Sequence, residues 1–203
     1  MKSKWIPLLV VLLVAALLMP ACVKKNNGSE TPDQPVIPEG LNFAPVEEGS
    51  FFYLVEGQHY EGEELVIPSV TREREPVTQI GSFGFWHLSG LKKVTIPYTI
   101  EVINASAFEG CTALTEIEIP SSVERIATEA FEGCTALKKV TFHGAVFSVA
   151  SEVFKDCTAL TDIYFDGTKE DWNGGLTYWS PKWLEADHPV TVHCTDGDIV
   201  IEA

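Results

Sequence analysis

A fixed period of 23 residues constrains this chain more than any other feature. Leucine, phenylalanine and cysteine all recur at that spacing, at Leu91, Leu114, Leu137 and Leu160, at Phe108, Phe131 and Phe154, and at Cys111, Cys134 and Cys157. A unit of this length cannot bury an apolar face alone, so successive units must stack and share one core. The sequence therefore predicts a solenoid of stacked coils.

Each coil divides into three parts. Residues 94–96 alternate apolar and polar side chains, which predicts a strand buried on one face, and Pro97 ends it. Residues 100–103 predict a second, shorter extended piece. The third part contains Phe108 and is predicted as a short helical turn whose ring points inward and stacks on the phenylalanine of the next coil.

An irregular coil precedes the regular ones. Residues 65–68 and 77–80 match the two extended pieces, and Phe85 takes the place of the repeated phenylalanine. This extends the predicted ring stack to Phe85, Phe108, Phe131 and Phe154. Residues 72–76 fall in an insertion between the extended pieces and predict a charged surface loop. We count about five coils between residues 62 and 167.

The three repeated cysteines have two interpretations. As a ladder of buried free thiols they would fill small spaces in the core and donate weakly to backbone carbonyls. In an exported protein they could instead form disulfides. Coils stacked about 5 Å apart bring the Cα atoms within range. Parallel Cβ vectors give poor disulfide geometry, however, so free thiols are favoured.

The N-terminus has the pattern of an export signal. Lys2 and Lys4 precede an apolar run over residues 6–18, which is too short to span a membrane. Ala21 stands directly before Cys22, and this junction resembles the lipobox of bacterial lipoproteins. The resemblance implies cleavage of residues 1–21 and a diacylglycerol on the sulfur of Cys22. An ordinary secretory signal, with Cys22 an incidental thiol, is the alternative.

The segment after the signal predicts a flexible tether. Residues 22–45 are rich in polar residues and proline and lack periodicity, so the folded domain is predicted at 46–203, with repeats at 62–167 and a C-terminal cap at 168–203. Loss of residues 1–21 would remove two lysines and no acids. The whole chain has 14 basic and 29 acidic side chains, so the mature chain would have 12 basic and 29 acidic side chains. This charge disfavours nucleic acid and anionic membrane surfaces as partners.

The repeat also resembles a known family. The pattern L-x-x-I-x-I-P-x-x-V-x-x-I-x-x-x-A-F-x-x-C, over roughly residues 62–167, resembles the BspA-like (Treponema pallidum-type) leucine-rich repeat family. The resemblance implies a right-handed, capped solenoid on an exported bacterial protein, held at the cell envelope, with the outer membrane or cell surface as the expected location. It also implies adhesion or recognition of another protein. In two coils His143 and Asp166 stand where the strand-ending proline is expected.

The outward strand positions are the candidate binding surface. One column alternates in sign without exception: Glu64, Lys93, Glu116, Lys139 and Asp162. Adjacent parallel strands would place each charge beside its opposite, which sets register and keeps the face solvated. The next column contains Thr95, Glu118, Thr141 and Tyr164. We predict that a protein ligand docks on the concave strand face through these two columns from Lys93 to Tyr164.

Two other functions stay open. A glycan-binding protein would use Tyr164 with Trp172, Trp179 and Trp183, although these tryptophans are also expected to cover the open end of the core. A structural subunit of an envelope complex would use the loop 72–76 as its contact. The sequence contains no phosphate loop, zinc motif or nucleophile elbow, so we expect no catalysis, metal site or cofactor.

Overall fold

Short strands dominate the structure, a computed structural model that describes residues 35–47, 53–144, 146–175, 179–180 and 182–202. The elements in chain order are β1 (Asn42–Pro45), β2 (Tyr53–Glu56), β3 (Glu64–Val66), β4 (Val77–Ile80), β5 (Lys93–Thr95), β6 (Val102–Ile103), β7 (Glu116–Ile119), β8 (Arg125–Ile126), β9 (Lys139–Phe142), β10 (Ser148–Val149), β11 (Asp162–Phe165), α1 (Lys169–Gly175), β12 (Val190–Cys194) and β13 (Gly197–Ile201).

Two stacks of parallel strands follow the two extended pieces of the repeat. The first stack consists of a two-stranded sheet, β3–β5, and a five-stranded sheet, β7–β9–β11–β12–β13. The second is one sheet in the order β1–β2–β4–β6–β8–β10. Residues one period apart pair directly, as Ile117 does with Val140 and Val140 with Ile163. The predicted leucine-rich repeat solenoid of about five coils is confirmed.

The core contains the predicted stack of phenylalanine rings. Phe85, Phe108, Phe131 and Phe154 are buried, with centroid separations of 5.2, 5.3 and 5.4 Å and interplanar angles below 10°. Equal spacing in sequence places equal rings at equal height in each coil, so the rings lie face over face. Trp183 closes the stack edge-on against Phe154, with the centroids 6.1 Å apart.

The turn that carries each phenylalanine is tighter than the helical turn expected. It consists of successive β-turns, and each coil contains two positions with positive φ: Phe83, Ser106, Glu129 and Glu152 at the first, and His87, Gly110, Gly133 and Asp156 at the second. A helix directs all its N–H groups along its own axis. Here alternate N–H groups donate to the next coil instead, as Phe108 N does to Ala130 O at 2.8 Å. Inter-coil bonding therefore replaces intra-helical bonding.

The ladder cysteines lie in the core as free thiols. Cys111, Cys134 and Cys157 are buried, and each Sγ donates to the carbonyl oxygen of a phenylalanine in the preceding coil at 3.1–3.2 Å. Burial raises the pKa of Cys111 to about 12 and is opposed by a backbone hydrogen bond at Leu88. Thiolate, the reactive form, is therefore disfavoured along this ladder.

We expect alkylation to distinguish these thiols from Cys194, which is only half-buried. Iodoacetamide at pH 8 should modify Cys194 first in the native protein. The three ladder thiols should react only after denaturation in guanidinium, because their sulfurs are then exposed to the reagent. Mass spectrometry of the alkylated peptides measures this. Recovery of fewer than three ladder thiols after denaturation would show that the ladder oxidises.

The ends of the solenoid are closed by non-repeating segments. At the C-terminal end β12 pairs in parallel with β11, and β12 and β13 form an antiparallel hairpin. At the N-terminal end β1 pairs antiparallel with β2, which pairs in parallel with β4. β1 lies within the segment predicted as tether, and the preceding Leu41 is buried in the core. Folded structure therefore begins before residue 46, because Leu41 contributes apolar surface to the cap.

Several sequence predictions lie outside the described residues. These are the signal peptide 1–21, the lipidation site Cys22 and the first part of the tether. The inserted loop is described, and Arg72, Glu73 and Arg74 are exposed as predicted. Thr71 organises it from below, since its buried Oγ1 accepts hydrogen bonds from the N–H groups of Glu73 and Glu75.

Candidate functional site

The outward face of the first strand stack carries the predicted charge columns, and its register is as expected. Glu64 pairs with Lys93, and Lys139 pairs with both Glu116 and Asp162. In the described part of the chain, however, no ion pair within 4 Å links these neighbours. Their charges alternate along the face and stay largely available to a partner.

Tyr164 lies at the centre of an interacting row on this face. The ammonium of Lys139, from β9, lies 4.8 Å from the centroid of the Tyr164 ring. The imidazole of His193, from β12, stacks on the same ring with centroids 4.6 Å apart and an interplanar angle of 28°. Neighbours from both adjacent strands thus hold the ring, which contributes a cation–π contact and an aromatic contact to the face.

Two histidines each connect three strands through carboxylates. His143, after β9, has Nδ1 2.7 Å from Asp166 Oδ2 and Nε2 3.5 Å from Glu118 Oε2. His193 has Nε2 2.8 Å from Asp162 Oδ1 and Nδ1 3.0 Å from Asp198 Oδ1. Every ring nitrogen therefore faces a carboxylate and none faces a nucleophile. This arrangement favours a charged imidazolium that joins strands, not general-base catalysis.

The pKa shifts follow from this geometry. Hydrogen bonding to Asp166 raises the pKa of His143, Glu118 adds to the effect, and burial opposes it. Hydrogen bonding to Asp162 raises the pKa of His193, with Asp198 assisting and burial opposing. In turn, His193 first and then Thr161 lower the pKa of Asp162.

We expect the stability of the domain to fall as pH rises above neutrality. A histidine with a raised folded pKa stabilises fully below its unfolded value of 6.5, and the contribution disappears as pH rises through the folded pKa. Urea unfolding at pH 6 and pH 8.5 measures the loss. The double variant His143→Gln/His193→Gln should show a clearly smaller difference between the two pH values, whereas His59→Gln, at an exposed position, should behave like the parent. An unchanged pH dependence in the double variant would contradict the assignment.

A cleft interrupts the face between β5 and β7. These strands are neighbours in the stack but belong to different sheets, so no hydrogen-bonded ladder joins them. The cleft has a volume of about 270 Å³. Its polar lining is Lys93, Thr95, Glu116, Glu118 and His143, and its apolar lining is Val94, Ile96, Tyr98 and Pro120. Four of the eight predicted ligand-binding residues thus surround one concavity.

The other predicted residues are placed less uniformly. The prediction that Thr141 contributes to the binding surface needs correction, because this side chain is buried and only 8% exposed. The neighbouring strands β7 and β11 flank it with Glu118 and Tyr164. Lys139 and Asp162 are half-buried, and Tyr164 is exposed. Their contribution to ligand binding stays a prediction.

The C-terminal tryptophans belong to the core. Trp172 and Trp183 are buried, and Trp179 is half-buried with its Nε1 donating to Val146 O at 2.9 Å. Trp172 contacts Phe142 and Phe165 edge-on, at centroid distances of 6.1 and 5.4 Å. The buried rings of Trp172 and Trp183 therefore close the open end of the core, as expected, and are not exposed for stacking on a sugar.

Three half-buried glutamates lie together on the turn side of the coils. The carboxylates of Glu129, Glu132 and Glu152 lie within 4.8 Å of one another. Lys155 already pairs with two of them, with its Nζ 2.9 Å from Glu132 and 3.5 Å from Glu152, and these contacts raise the pKa of Lys155. We assign no metal to this cluster.

Sequence reasoning missed several residues of the face. His143 and Asp166 stand at the position of the strand-ending proline and are one period apart. They directly follow β9 and β11, at positions that continue the outward-facing alternation of those strands. That alternation is the sequence signal that could have identified them. Tyr98 lies in the turn after β5 and is 69% exposed. Phe83 and Trp86 are also exposed, 6.3 Å apart and edge-to-face, where later coils have polar residues.

The chain resembles solved bacterial leucine-rich repeat structures in fold. The T. pallidum leucine-rich repeat protein is 18% identical over 64% of this chain and 70% of its own, with a TM-score of 0.52. A leucine-rich cell surface protein from Faecalibacterium prausnitzii is 22% identical over 70% of this chain and 42% of its own, with a TM-score of 0.51. A leucine-rich repeat protein from Bacteroides capillosus is 24% identical over 66% of this chain and all of its own, with a TM-score of 0.52.

The fold and the exposed strand face define a short leucine-rich repeat protein. The model of the BspA-type leucine-rich repeat region, in six copies, matches residues 69–175, which is about half of the chain, and the protein belongs to this family. A search of curated proteins gives no match. In the described residues, no helix has both the length and the apolar character needed to cross a membrane.

Proposed function

We propose that this protein is a non-catalytic binding protein of the bacterial envelope, exported and lipid-anchored at Cys22, that recognises a protein ligand through the outward strand face. The observation that carries the proposal is the face itself, where charges of both signs surround a cleft and an aromatic ring that is held by its neighbours. Protein interfaces combine such features: central aromatic anchors, a polar rim and electrostatic complementarity. The repeat family supports a recognition function of this kind.

Export and surface location are supported by the N-terminal sequence and by one relative. A basic start, an apolar run and the Ala21–Cys22 junction form a lipoprotein signal pattern. The F. prausnitzii protein of similar fold is described as a cell surface protein. Outer-membrane placement and adhesion are part of the proposal. Mass spectrometry of the mature protein from its own cells would test the anchor, because a lipidated Cys22 has a characteristic added mass.

The alternative functions have weaker support. For glycan binding, Trp172 and Trp183 are buried in the core and therefore not accessible to a sugar. Tyr164 already contacts Lys139 and His193. A structural contact through the loop 72–76 is compatible with its exposure, although nothing in its geometry favours a partner. Neither alternative has a cleft comparable to the one between β5 and β7.

Binding to an array of host matrix proteins and envelope proteins, at 50 and 500 mM salt, tests the proposal. We expect a protein ligand whose affinity falls with salt, because exposed charges are screened. Lys139→Glu should weaken that ligand at least 10-fold, and Arg125→Glu, the same charge change on β8 of the other sheet, should not. Equal binding by both variants would overturn the assignment of the face, and a salt-insensitive polysaccharide hit would favour the glycan alternative.

A further inference from the structure

The interruption between β5 and β7 has no counterpart in the sequence period. Val94 and Ile117 are 23 residues apart, as are Ile117 and Val140, yet only the second pair lies in a continuous ladder. No insertion therefore forces the strands apart. The turn after β5 keeps the backbone hydrogen bond of its counterpart, with Ile100 N donating to Pro97 O as Val123 N does to Pro120 O, but the buried hydroxyl of Thr99 has no hydrogen-bond partner among the described residues. Unsatisfied groups of this kind are rare in regular repeats and call for a local explanation.

The size of the cleft limits what can enter it. At about 270 Å³ it lies just below the usual range of small-molecule sites, which begins at about 300 Å³. It is open on the strand face and lies between two neighbouring coils. A single long side chain from a partner fits such a space, whereas a helix or a strand does not.

The charges of the cleft select the kind of side chain. Glu116 and Glu118 are exposed on the β7 side, and no cation lies within 4 Å of the Glu116 carboxylate in the described chain. The cation recorded at Glu118 is His143, at 3.5 Å, and His143 is held closer by Asp166. Lys93 opposes them from β5. Because Asp166 pairs with His143, the two carboxylates of Glu116 and Glu118 face the single ammonium of Lys93, which leaves a site that accepts one further positive charge.

The apolar wall distinguishes arginine from lysine. Tyr98 presents an exposed ring at the edge of the cleft, beside the buried Pro120. A guanidinium is planar, so it can bind a carboxylate through two N–H groups while its face stacks on an aromatic ring. An ammonium can make the first interaction but gains less from the second.

We propose that the cleft between β5 and β7 receives an arginine side chain of the protein ligand, between the carboxylates of Glu116 and Glu118 and the ring of Tyr98. This inference deepens the proposed function and rests on it for the identity of the partner as a protein. Lys93 acts as an opposing charge that weakens the contact. Removal of that charge by Lys93→Gln should therefore strengthen arginine binding.

Titration with a minimal probe tests the cleft itself. N-acetyl-arginine amide is added to the ¹⁵N-labelled protein, and N-acetyl-citrulline amide, which has nearly the same shape without charge, is the matched control. We expect saturable shifts confined to the amides of 93–96, 98 and 116–118, with a Kd on the order of millimolar. The citrulline compound should produce none of them, and N-acetyl-lysine amide should bind at least 3-fold more weakly than the arginine probe.

Variants test whether arginine binding depends on the cleft residues or only on the overall negative charge of the protein. Glu116→Gln/Glu118→Gln should weaken arginine binding at least 10-fold, and Tyr98→Ala should weaken it about 3-fold. Glu101→Gln/Glu124→Gln removes two exposed carboxylates away from the cleft and should have no effect. Equal binding of citrulline, or unchanged binding in the Glu116/Glu118 variant, would overturn the inference.

The outcome is distinguishable from failure of the proposed function. A protein ligand that responds to Lys139→Glu but not to Glu116→Gln/Glu118→Gln would keep the binding face and remove the arginine site. Arginine binding in the cleft without any protein ligand would keep the site and remove the proposed function.

Discussion

Replacing Phe131 with alanine is expected to reduce the free energy of unfolding by about 3–5 kcal/mol, the usual cost of truncating a buried aromatic residue. The ring is fully buried and stacks on both sides, against Phe108 at 5.3 Å and Phe154 at 5.4 Å. Truncation removes two aromatic contacts at once and leaves a cavity whose walls are backbone turns. Those turns are fixed by inter-coil hydrogen bonds, such as Phe131 N to Val153 O, and cannot collapse into the space.

Urea unfolding followed by circular dichroism measures this loss. Phe147→Ala is the matched control, since Phe147 is 64% exposed and its truncation should cost less than about 1 kcal/mol. Phe131→Leu should restore part of the stability, because it refills much of the volume without the ring contacts. A loss below 1 kcal/mol for Phe131→Ala would show that the ring stack is not the main contact between coils.

Replacing Trp183 with alanine is expected to destabilise the C-terminal end of the solenoid by a similar amount, about 3–5 kcal/mol. Trp183 closes the ring stack against Phe154 and also contacts Trp172 and Trp179, at 6.1 and 4.9 Å. Its effect should differ in kind from that of Phe131, because repeat proteins lose terminal units separately from interior ones.

Hydrogen exchange distinguishes the two cases. The amides of Glu152 and Phe154 donate to Lys182 O and Trp183 O, so they should lose protection first in Trp183→Ala while those of Phe108 and Gly110 keep theirs. Lys182→Ala is the control, because its side chain is exposed and makes only a long ion pair with Glu185, at 3.9 Å, while its backbone groups, which bond Ser180 and Glu152, are kept. Uniform loss of protection along the chain would mean that the cap and the coils unfold as one unit.

The sequence predicted those features that depend on periodicity alone. Rings and thiols spaced 23 apart had to lie in columns, and they do. Periodicity could not predict the conformation within the turn, because Glu129 and Glu152 occupy left-handed positions that favour glycine or asparagine in isolated segments. There the hydrogen bonds to the next coil stabilise a backbone that local preference disfavours.

The candidate site shows a similar division. The alternation of polar and apolar residues predicted that Lys93, Glu116 and Lys139 face outward in neighbouring strands. The observed strand pairing agrees with this prediction. The alternation could not show that Lys139 lies over Tyr164 or that β5 separates from β7, because both depend on the approach of side chains from different coils. Thr141 illustrates the limit, since its parity is outward and its neighbours still bury it.

The donor direction of the turns has a consequence for assembly. In the turn that carries the phenylalanine, each coil directs N–H groups towards the C-terminal end and carbonyl oxygens towards the N-terminal end, so the turns at the two ends of an uncapped array would be complementary. Such head-to-tail complementarity produces open-ended fibres when nothing prevents it. At the N-terminal end, Gly57 N donates a hydrogen bond to Gly84 O. At the C-terminal end, the N–H groups of Glu152 and Phe154 donate to Lys182 O and Trp183 O. The caps therefore satisfy turn groups at both ends through which uncapped copies would join.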